Sequence, residues 1–162
     1  MTEQSPWTDE AALQPVATGT IVVGHDGSAA AQQALATALD LAGQLRAPVA
    51  IVRAWSFATA PRPPDWAFGY VPSSDQLQEA VHGDLISDVH HLVERFPDVQ
   101  ITYRAVHGGP AHSLIAMSVS ARMLVVGSRG LGGVAQLMLG SVSDEVIKKA
   151  CCPVLVVKQP ES

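Results

Sequence analysis

The sequence predicts one α/β domain in which an open, five-stranded parallel sheet carries helices on both faces. Five short apolar segments alternate along the chain with four segments of helical spacing, which is the pattern of β-α-β units. Hydrophobic residues make up 48% of the 162 residues and charged residues only 15%, a composition that suits strands buried on both faces. A chain of this length can bury a sizeable core within a single domain.

The predicted elements follow one another regularly. Residues 1–18 are predicted to form a flexible tail, and residues 19–160 the folded domain. A first strand over residues 20–24 ends in a turn, and Ser28 is a suitable cap for a helix over residues 29–45. The other predicted strands are 49–55, 99–106, 123–127 and 154–158, and the other predicted helices are 74–96, 111–120 and 142–150.

The segment between the second strand and the second helix, residues 55–74, is unusually long for a loop in a compact domain. Such loops are usually functional or mobile. Its aromatic side chains are predicted to pack on the protein's own surface or on a second copy, or else to form a lid over a ligand. The segment holds four prolines and five of the eight aromatic residues, namely Trp55, Phe57, Trp66, Phe68 and Tyr70.

The expected strand order is 3-2-1-4-5. In open parallel sheets, ligands bind beyond the carboxyl ends of the strands, where the strand order reverses. With this order the turns after the first and fourth strands face one crevice. These two turns are also the richest in glycine and hydroxyl residues, so the ligand site is predicted there.

The turn after the fourth strand has the composition of a phosphate cradle. Gly127 and Gly130 are expected to let the backbone approach a ligand and to adopt positive φ angles. Ser141 is expected to cap the next helix, with Asp144 completing a capping box. The free amide groups and the positive end of the helix dipole at residues 140–142 would then face an anion.

Two better-known phosphate motifs do not fit this stretch. The P-loop pattern is missing, because no lysine stands after a Gly-x-x-x-x-Gly segment. Gly130-x-Gly132-x-x-Ala135 does match the dinucleotide fingerprint, but it lies late in the chain. No carboxylate follows at the end of the next strand, where that fingerprint needs one.

The chain resembles the universal stress protein family over roughly residues 20–158. The resemblance rests on the pattern Gly127-x2-Gly130-x9-Gly140-Ser141, which meets the family's nucleotide-binding signature at every fixed position. Three further segments in the same order support it. They are Val23-Gly24-His25-Asp26-Gly27-Ser28, Val106-His107-Gly108-Gly109-Pro110-Ala111 and Cys152-Pro153-Val154-Leu155-Val156-Val157.

The resemblance implies a Rossmann-like fold of the adenine nucleotide alpha-hydrolase type that binds ATP, with Mg²⁺ as a companion ion and AMP or cyclic AMP as alternative ligands. Asp26 would hold the ribose hydroxyls, although an aspartate before Gly-Ser is also ordinary turn chemistry. Arg129 would reach a phosphate, or remain a solvated loop residue. The implied nucleotide-binding residues are Gly24, His25, Asp26, Ala54, Val106, Gly127, Ser128, Arg129, Gly130, Gly140, Ser141 and Val142. The family also pairs its last strands, which implies a homodimer through residues 154–158.

Composition excludes several other classes of protein. The net charge of −5 and the lack of a basic cluster argue against nucleic-acid binding. No apolar run is long enough to span a membrane, and the first residues lack the features of a signal peptide, so a cytoplasmic location is expected. The cysteines are neighbours, Cys151 and Cys152, and form no disulfide framework. The helical histidines lack the spacing of a zinc site, and no metal ligands are predicted.

The motifs favour binding over catalysis. Phosphoryl transfer needs a positioned nucleophile, metal ligands and cations around the transferred group, whereas these turns offer mainly amides and hydroxyls. A regulatory nucleotide-binding protein with no catalytic residue, at most hydrolysing ATP slowly, is the preferred interpretation. His25 and His107 are candidates for ligand contact. Two alternatives stay open: a nucleotide-dependent enzyme that uses His107 and His112, and a nucleotide-free interaction module.

Overall fold

The computed structural model describes residues 13–62, 69–131 and 139–160. Its nine regular elements within these residues alternate strictly between strand and helix. They are β1 (Ile21–Gly24), α1 (Ala29–Leu45), β2 (Val49–Trp55), α2 (Ser74–Val93), β3 (Ile101–His107), α3 (Pro110–Ser118), β4 (Met123–Gly127), α4 (Ser141–Lys149) and β5 (Val154–Val157).

The five strands form one parallel sheet in the order β3-β2-β1-β4-β5, which confirms the predicted topology. At the centre of the sheet, β1 pairs with both β2 and β4, so that Ile21 lies between Val49 and Met123. The strand order reverses between β1 and β4. The crevice beyond the carboxyl ends of these two strands is therefore the place where an open parallel sheet binds a ligand.

Alternate residues of the strands pack into two apolar layers, one on each face of the sheet. Ile21 and Val23 of β1 face α1 and α2, whereas Val22 between them faces α3 and α4. All three side chains are fully buried. This alternation follows from the period of two in a strand, and it explains why the first strand is continuously apolar rather than amphipathic.

Helix α1 has the predicted bounds because its first turn is capped as expected. Ser28 is extended, and its hydroxyl accepts a hydrogen bond from the amide of Ala31 at 3.1 Å. The helix ends at Arg46, which adopts a left-handed conformation. A second cap, which sequence reasoning did not identify, starts α2: Ser73 and Gln76 form a reciprocal capping box.

Part of the predicted flexible tail is packed against the sheet. Val16 is 4% exposed and lies in the apolar layer of α3 and α4. Arg104 of β3 donates a hydrogen bond to the carbonyl oxygen of Gln14. Residues 1–12 lie outside the described residues, so the rest of that prediction, and the domain boundary drawn at residue 19, stay predictions.

The segment after β2 begins inside the core. Trp55 is 3% exposed, and its indole nitrogen donates to the side-chain oxygen of Gln78 on α2. Phe57 packs edge-on against Trp55, and both rings contact His107 at the end of β3. Trp55 therefore packs in the protein's own core, and Phe57 packs against it while remaining 58% exposed. Trp66 and Phe68 lie outside the described residues. No helix among the described residues is long and apolar enough to cross a membrane.

Candidate functional site

A cavity of about 790 Å³ lies across the carboxyl ends of the central strands, where the strand order reverses. It extends from the end of β2 and the side of α2, past the turn after β1, to the start of α4. Its volume lies in the upper part of the range of roughly 300–1,000 Å³ that is typical of small-molecule sites. Ten of the twelve predicted site residues line it: Gly24, His25, Asp26, Ala54, Gly127, Arg129, Gly130, Gly140, Ser141 and Val142.

The remaining two predicted residues do not reach the cavity wall. Val106 is fully buried in the apolar layer under α3 and α4. Ser128 is 5% exposed, and its main chain is occupied, since its amide donates to Val157 and its carbonyl accepts from Gly140. Ser128 therefore fastens the turn after β4 to the start of α4, and only its neighbours face the cavity.

The turn after β1 presents a carboxylate to the cavity. Asp26 uses one oxygen to accept the amide of Ser28 at 2.9 Å, which is the turn chemistry expected of an Asp-Gly-Ser segment. Gly27 has a φ angle of +86°, a conformation that only glycine adopts without strain. The second Asp26 oxygen accepts the amide of Leu131 at 3.0 Å. The turns after β1 and β4 are thus joined across the crevice by one carboxylate, which is exposed to solvent.

The glycines at the end of β4 and in the next turn allow close approach within the protein, and the expectation of positive φ angles at Gly127 and Gly130 is corrected. A Cβ atom on Gly127 would lie 2.9 Å from the backbone carbon of Ala30 in α1. One on Gly130 would lie 2.6 Å from the Asp26 carboxylate. Gly127 therefore lets β4 pass under the first turn of α1, and Gly130 leaves room for the carboxylate that joins the two turns.

Helix α4 begins one residue earlier than predicted. Gly140 is the N-cap, Ser141 is the first helical residue, and no side chain caps this end, which corrects the predicted capping by Ser141. Asp144 makes no capping box, because the N-cap glycine has no side chain and the third helical residue is Ser143; the Asp144 carboxylate pairs with Lys148 at 2.8 Å. The first amides of an α-helix have no partner within the helix. At the end of α4 that lines the cavity, the dipole and these amides favour a bound anion.

A partly buried polar cluster at the turn after β1 contains the residue that sequence reasoning missed, Arg53 of β2. Its guanidinium donates from Nε to the carbonyl oxygen of His25 at 3.1 Å and from Nη1 to Asp88 of α2 at 2.9 Å. Its Nη2 lies 2.7 Å from Nδ1 of His25. Nothing in the sequence pairs these residues, because Asp88 lies 35 positions beyond Arg53 and only the fold brings them together.

His25 is held in its neutral form. Burial of the ring, and then the positive charge of Arg53, lower the pKa of His25 to about 4. Three groups oppose this shift without reversing it, namely the carboxylates of Asp26 and Asp88 and the amide of Gln32. Because a guanidinium can only donate, the contact with Arg53 makes Nδ1 the acceptor of the neutral ring, and the amide of Gly27 lies 3.3 Å from the same atom.

This shift predicts a loss of stability in mild acid. The pKa of His25 is lower in the folded protein than in the unfolded chain, so the unfolded chain takes up the proton first as the pH falls. The resulting loss in the free energy of unfolding is absent above about pH 6.5, reaches about 2 kcal/mol at pH 5, and levels off below pH 4. Urea unfolding at pH 7 and pH 5 measures it. A His25→Gln variant should lose about 2 kcal/mol less between these pH values, and an unchanged difference would contradict the assignment.

The other candidate histidine lies away from the cavity wall. His107 stacks on Trp55 with ring centroids 4.6 Å apart. The wall there consists instead of Gly108, Gly109 and Pro110. His112 of α3 borders a separate, smaller depression of about 260 Å³ together with Glu145. The two histidines proposed for the alternative enzyme therefore do not face the Asp26 carboxylate across this cavity.

Comparison with known proteins identifies the family. The model of the Universal stress protein family matches residues 18–158. The chain belongs to the universal stress protein family. It is 34% identical over 152 residues to Universal stress protein Rv2005c of Mycobacterium tuberculosis, covering 94% of this chain and 50% of that protein. It is 32% identical over 146 residues to Universal stress protein MJ0531 of Methanocaldococcus jannaschii, covering 87% of this chain and 82% of that protein.

A solved universal stress protein in complex with cAMP has the same fold, with a TM-score of 0.64 and 26% sequence identity. The match covers 90% of this chain and all of that one. The chain spans about half the length of the mycobacterial universal stress proteins that it matches.

The charges lining the cavity limit what this universal stress protein site can do. Among the described residues that line it, the cations are Arg53 and Arg129 and the carboxylates are Asp26 and Asp84. The guanidinium of Arg53 already bonds to His25 and Asp88, whereas Arg129 is exposed. Such a wall can hold an anion through amides and one exposed arginine. No group of three potential metal ligands occurs among the described residues.

Proposed function

We propose that this universal stress protein binds an adenine nucleotide, with ATP as the preferred ligand, and acts as a regulatory protein rather than an enzyme. The proposal rests on one observation: the turns after β1 and β4 meet at one crevice. The Asp26 carboxylate lies against Gly130 and Leu131, in the same cavity as the start of α4. A carboxylate can accept hydrogen bonds from two ribose hydroxyls, and the free amides at the helix start can donate to the phosphate oxygens.

The proposed orientation of the ligand follows from the chemistry of the wall. The ribose lies at Asp26, and the phosphates at the amides of residues 140–142, with Arg129 as their cation. The base lies at the end of β2, beside Ala54. The bound cAMP of the related structure supports an adenine nucleotide. An ATP-bound Mg²⁺ ion would be held by the phosphates and water, as Mg²⁺ usually is.

The proposal includes a homodimer in the cytoplasm, the compartment that holds the cellular ATP pool. Strand β5 is the last strand of the sheet, and its apolar side chains are only half-buried. An apolar edge of this kind is covered when a second copy pairs along it. Sedimentation of the full chain should give the mass of a dimer, and a monomeric mass at micromolar concentration would contradict this part of the proposal.

Calorimetric titration tests the proposed function. ATP, AMP and cyclic AMP are titrated into the full chain, with GTP as the control for the base. We expect a saturable signal with ATP and a weaker one with GTP. Because binding stabilises only the folded state, ATP at about 100 times its Kd should also raise the free energy of unfolding by about 2.7 kcal/mol. An absence of heat and of stabilisation with every adenine nucleotide would reject the proposal and favour a nucleotide-free interaction module.

A further inference from the structure

We propose that Arg53 is a positioning residue for the nucleotide site, because it fixes the turn after β1 and with it the Asp26 carboxylate. The inference rests on the proposed function and extends it to a residue that no nucleotide motif contains. The Arg53 side chain is 12% exposed and lines the cavity. Its position in the wall and its hydrogen bonds beneath the turn are two separate observations that point to the same role.

Arg53 holds both the backbone and the side chain of the residue that precedes Asp26. Nε donates to the carbonyl oxygen of His25, and Nη2 reaches Nδ1 of its ring. The same ring nitrogen lies 3.3 Å from the amide of Gly27, the residue that follows Asp26. Arg53 thus holds His25 directly, and it holds Gly27 through the His25 ring, on either side of the Asp26 carboxylate. The rigid fork of arginine can make such contacts together, whereas the single ammonium group of lysine cannot.

The cluster is anchored outside the turn. Nη1 pairs with Asp88 of α2, and Gln32 of α1 donates to the carbonyl oxygen of Asp88. The Asp88 carboxylate, which is 45% exposed, offsets the positive charge of Arg53 from the side of α2. The turn is therefore fixed against two helices and a strand, which is the rigid support that a ligand-binding carboxylate requires.

The arrangement depends on a neutral His25. The groups that face the ring are Arg53 from β2, Asp26 from the turn, Asp88 from α2 and Gln32 from α1. A proton on Nδ1 would remove the acceptor that Arg53 and Gly27 use. The Arg53 charge opposes that proton, so removal of the guanidinium both withdraws the donors and raises the pKa of His25.

The test compares Arg53→Met and Arg53→Lys with the matched control Arg104→Met. Arg104 lies on the neighbouring strand, opposite Val52, is partly buried, and does not line the cavity. We expect Arg53→Met to weaken ATP binding about tenfold at pH 7.5, consistent with the loss of charged hydrogen bonds. The loss should be larger at pH 5, because without the Arg53 charge His25 takes up a proton at a higher pH than in the wild type. Arg53→Lys should recover part of the affinity, and Arg104→Met should bind ATP like the wild type.

Histidine NMR separates positioning from a merely structural role. In the ligand-free chain, Arg53→Met should raise the pKa of His25 from about 4 toward its ordinary value and shift the amide signals of Gly27 and Ser28, whereas Arg104→Met should do neither. If Arg53→Met does not fold, the Arg53→Lys variant still has to lose affinity and shift the two amides. Wild-type affinity in the folded Arg53 variants, or unmoved amides of Gly27 and Ser28, would overturn the inference. Wild-type protein that binds no adenine nucleotide would overturn the proposed function, while the amide and pKa shifts would still test the bracing of the turn.

Discussion

Replacing Asp26 with alanine is expected to weaken ATP binding by about 100-fold or more. The substitution removes the acceptor proposed for two ribose hydroxyls, and hydrogen bonds to a charged group contribute about 1.5–3 kcal/mol each. It also removes the bonds to the amides of Ser28 and Leu131 that join the two turns. Calorimetric titration of ATP measures the loss.

Two further variants separate the effect of the Asp26 charge on ATP binding from the effect of the carboxylate's position. Asp26→Asn keeps an oxygen for the amide of Ser28 and should weaken ATP binding by about tenfold. Gly130→Ala keeps the Asp26 carboxylate but would put a Cβ atom 2.6 Å from it. The carboxylate would have to move, so this variant should also weaken ATP binding. Asp40→Asn, an exposed aspartate on α1, is the matched control. Near wild-type affinity in Asp26→Ala would exclude Asp26 from the ligand site.

Gly127→Ala is expected to lower the free energy of unfolding by about 3 kcal/mol, the upper end of the usual penalty for overpacking. The added methyl group would meet the carbon, the oxygen and the Cβ of Ala30 at 2.9–3.0 Å. Backbone atoms at the start of a capped helix cannot rotate away as a side chain can. Strand β4 and helix α1 would therefore have to separate. Urea unfolding of the ligand-free chain measures the change.

Gly43→Ala is the control, and it should raise the free energy of unfolding rather than lower it. Gly43 lies in α1, and nothing stands within 4 Å of the position where its Cβ would be. Alanine there should raise the free energy of unfolding by about 0.5–1 kcal/mol, because glycine is a poor helix former. If both variants were equally stable, the close packing of β4 under α1 would not be what requires glycine at position 127.

The architecture was predictable because local signals and the hydrophobic pattern agree. The extended Ser28 before an alanine-rich run defines the start of α1, and Ala47-Pro48 separates it from β2. Both elements have the predicted bounds. The expected strand order made β1 and β4 neighbours, which let the two rich turns share one crevice. The end of α2 was less well defined, because fraying helix ends carry weak sequence signals.

The details of the site were harder to predict because they depend on backbone geometry and on distant partners. Whether Gly140 or Ser141 caps α4 depends on which residue is extended, and residue type favoured the serine. The steric role of Gly127 depends on Ala30, almost a hundred residues away in the chain. Arg53 gave no signal at all, since an arginine near the end of an apolar strand is expected to point to solvent.

The most direct test of the account is a crystal structure of the full chain with ATP. We expect the ribose hydroxyls within hydrogen-bonding distance of the Asp26 carboxylate, the phosphates at the amides of residues 140–142, and the base beside Ala54. Arg53 should keep its bonds to His25 and Asp88. A cavity without nucleotide at millimolar ATP, or a nucleotide bound with its phosphates away from the start of α4, would contradict the account.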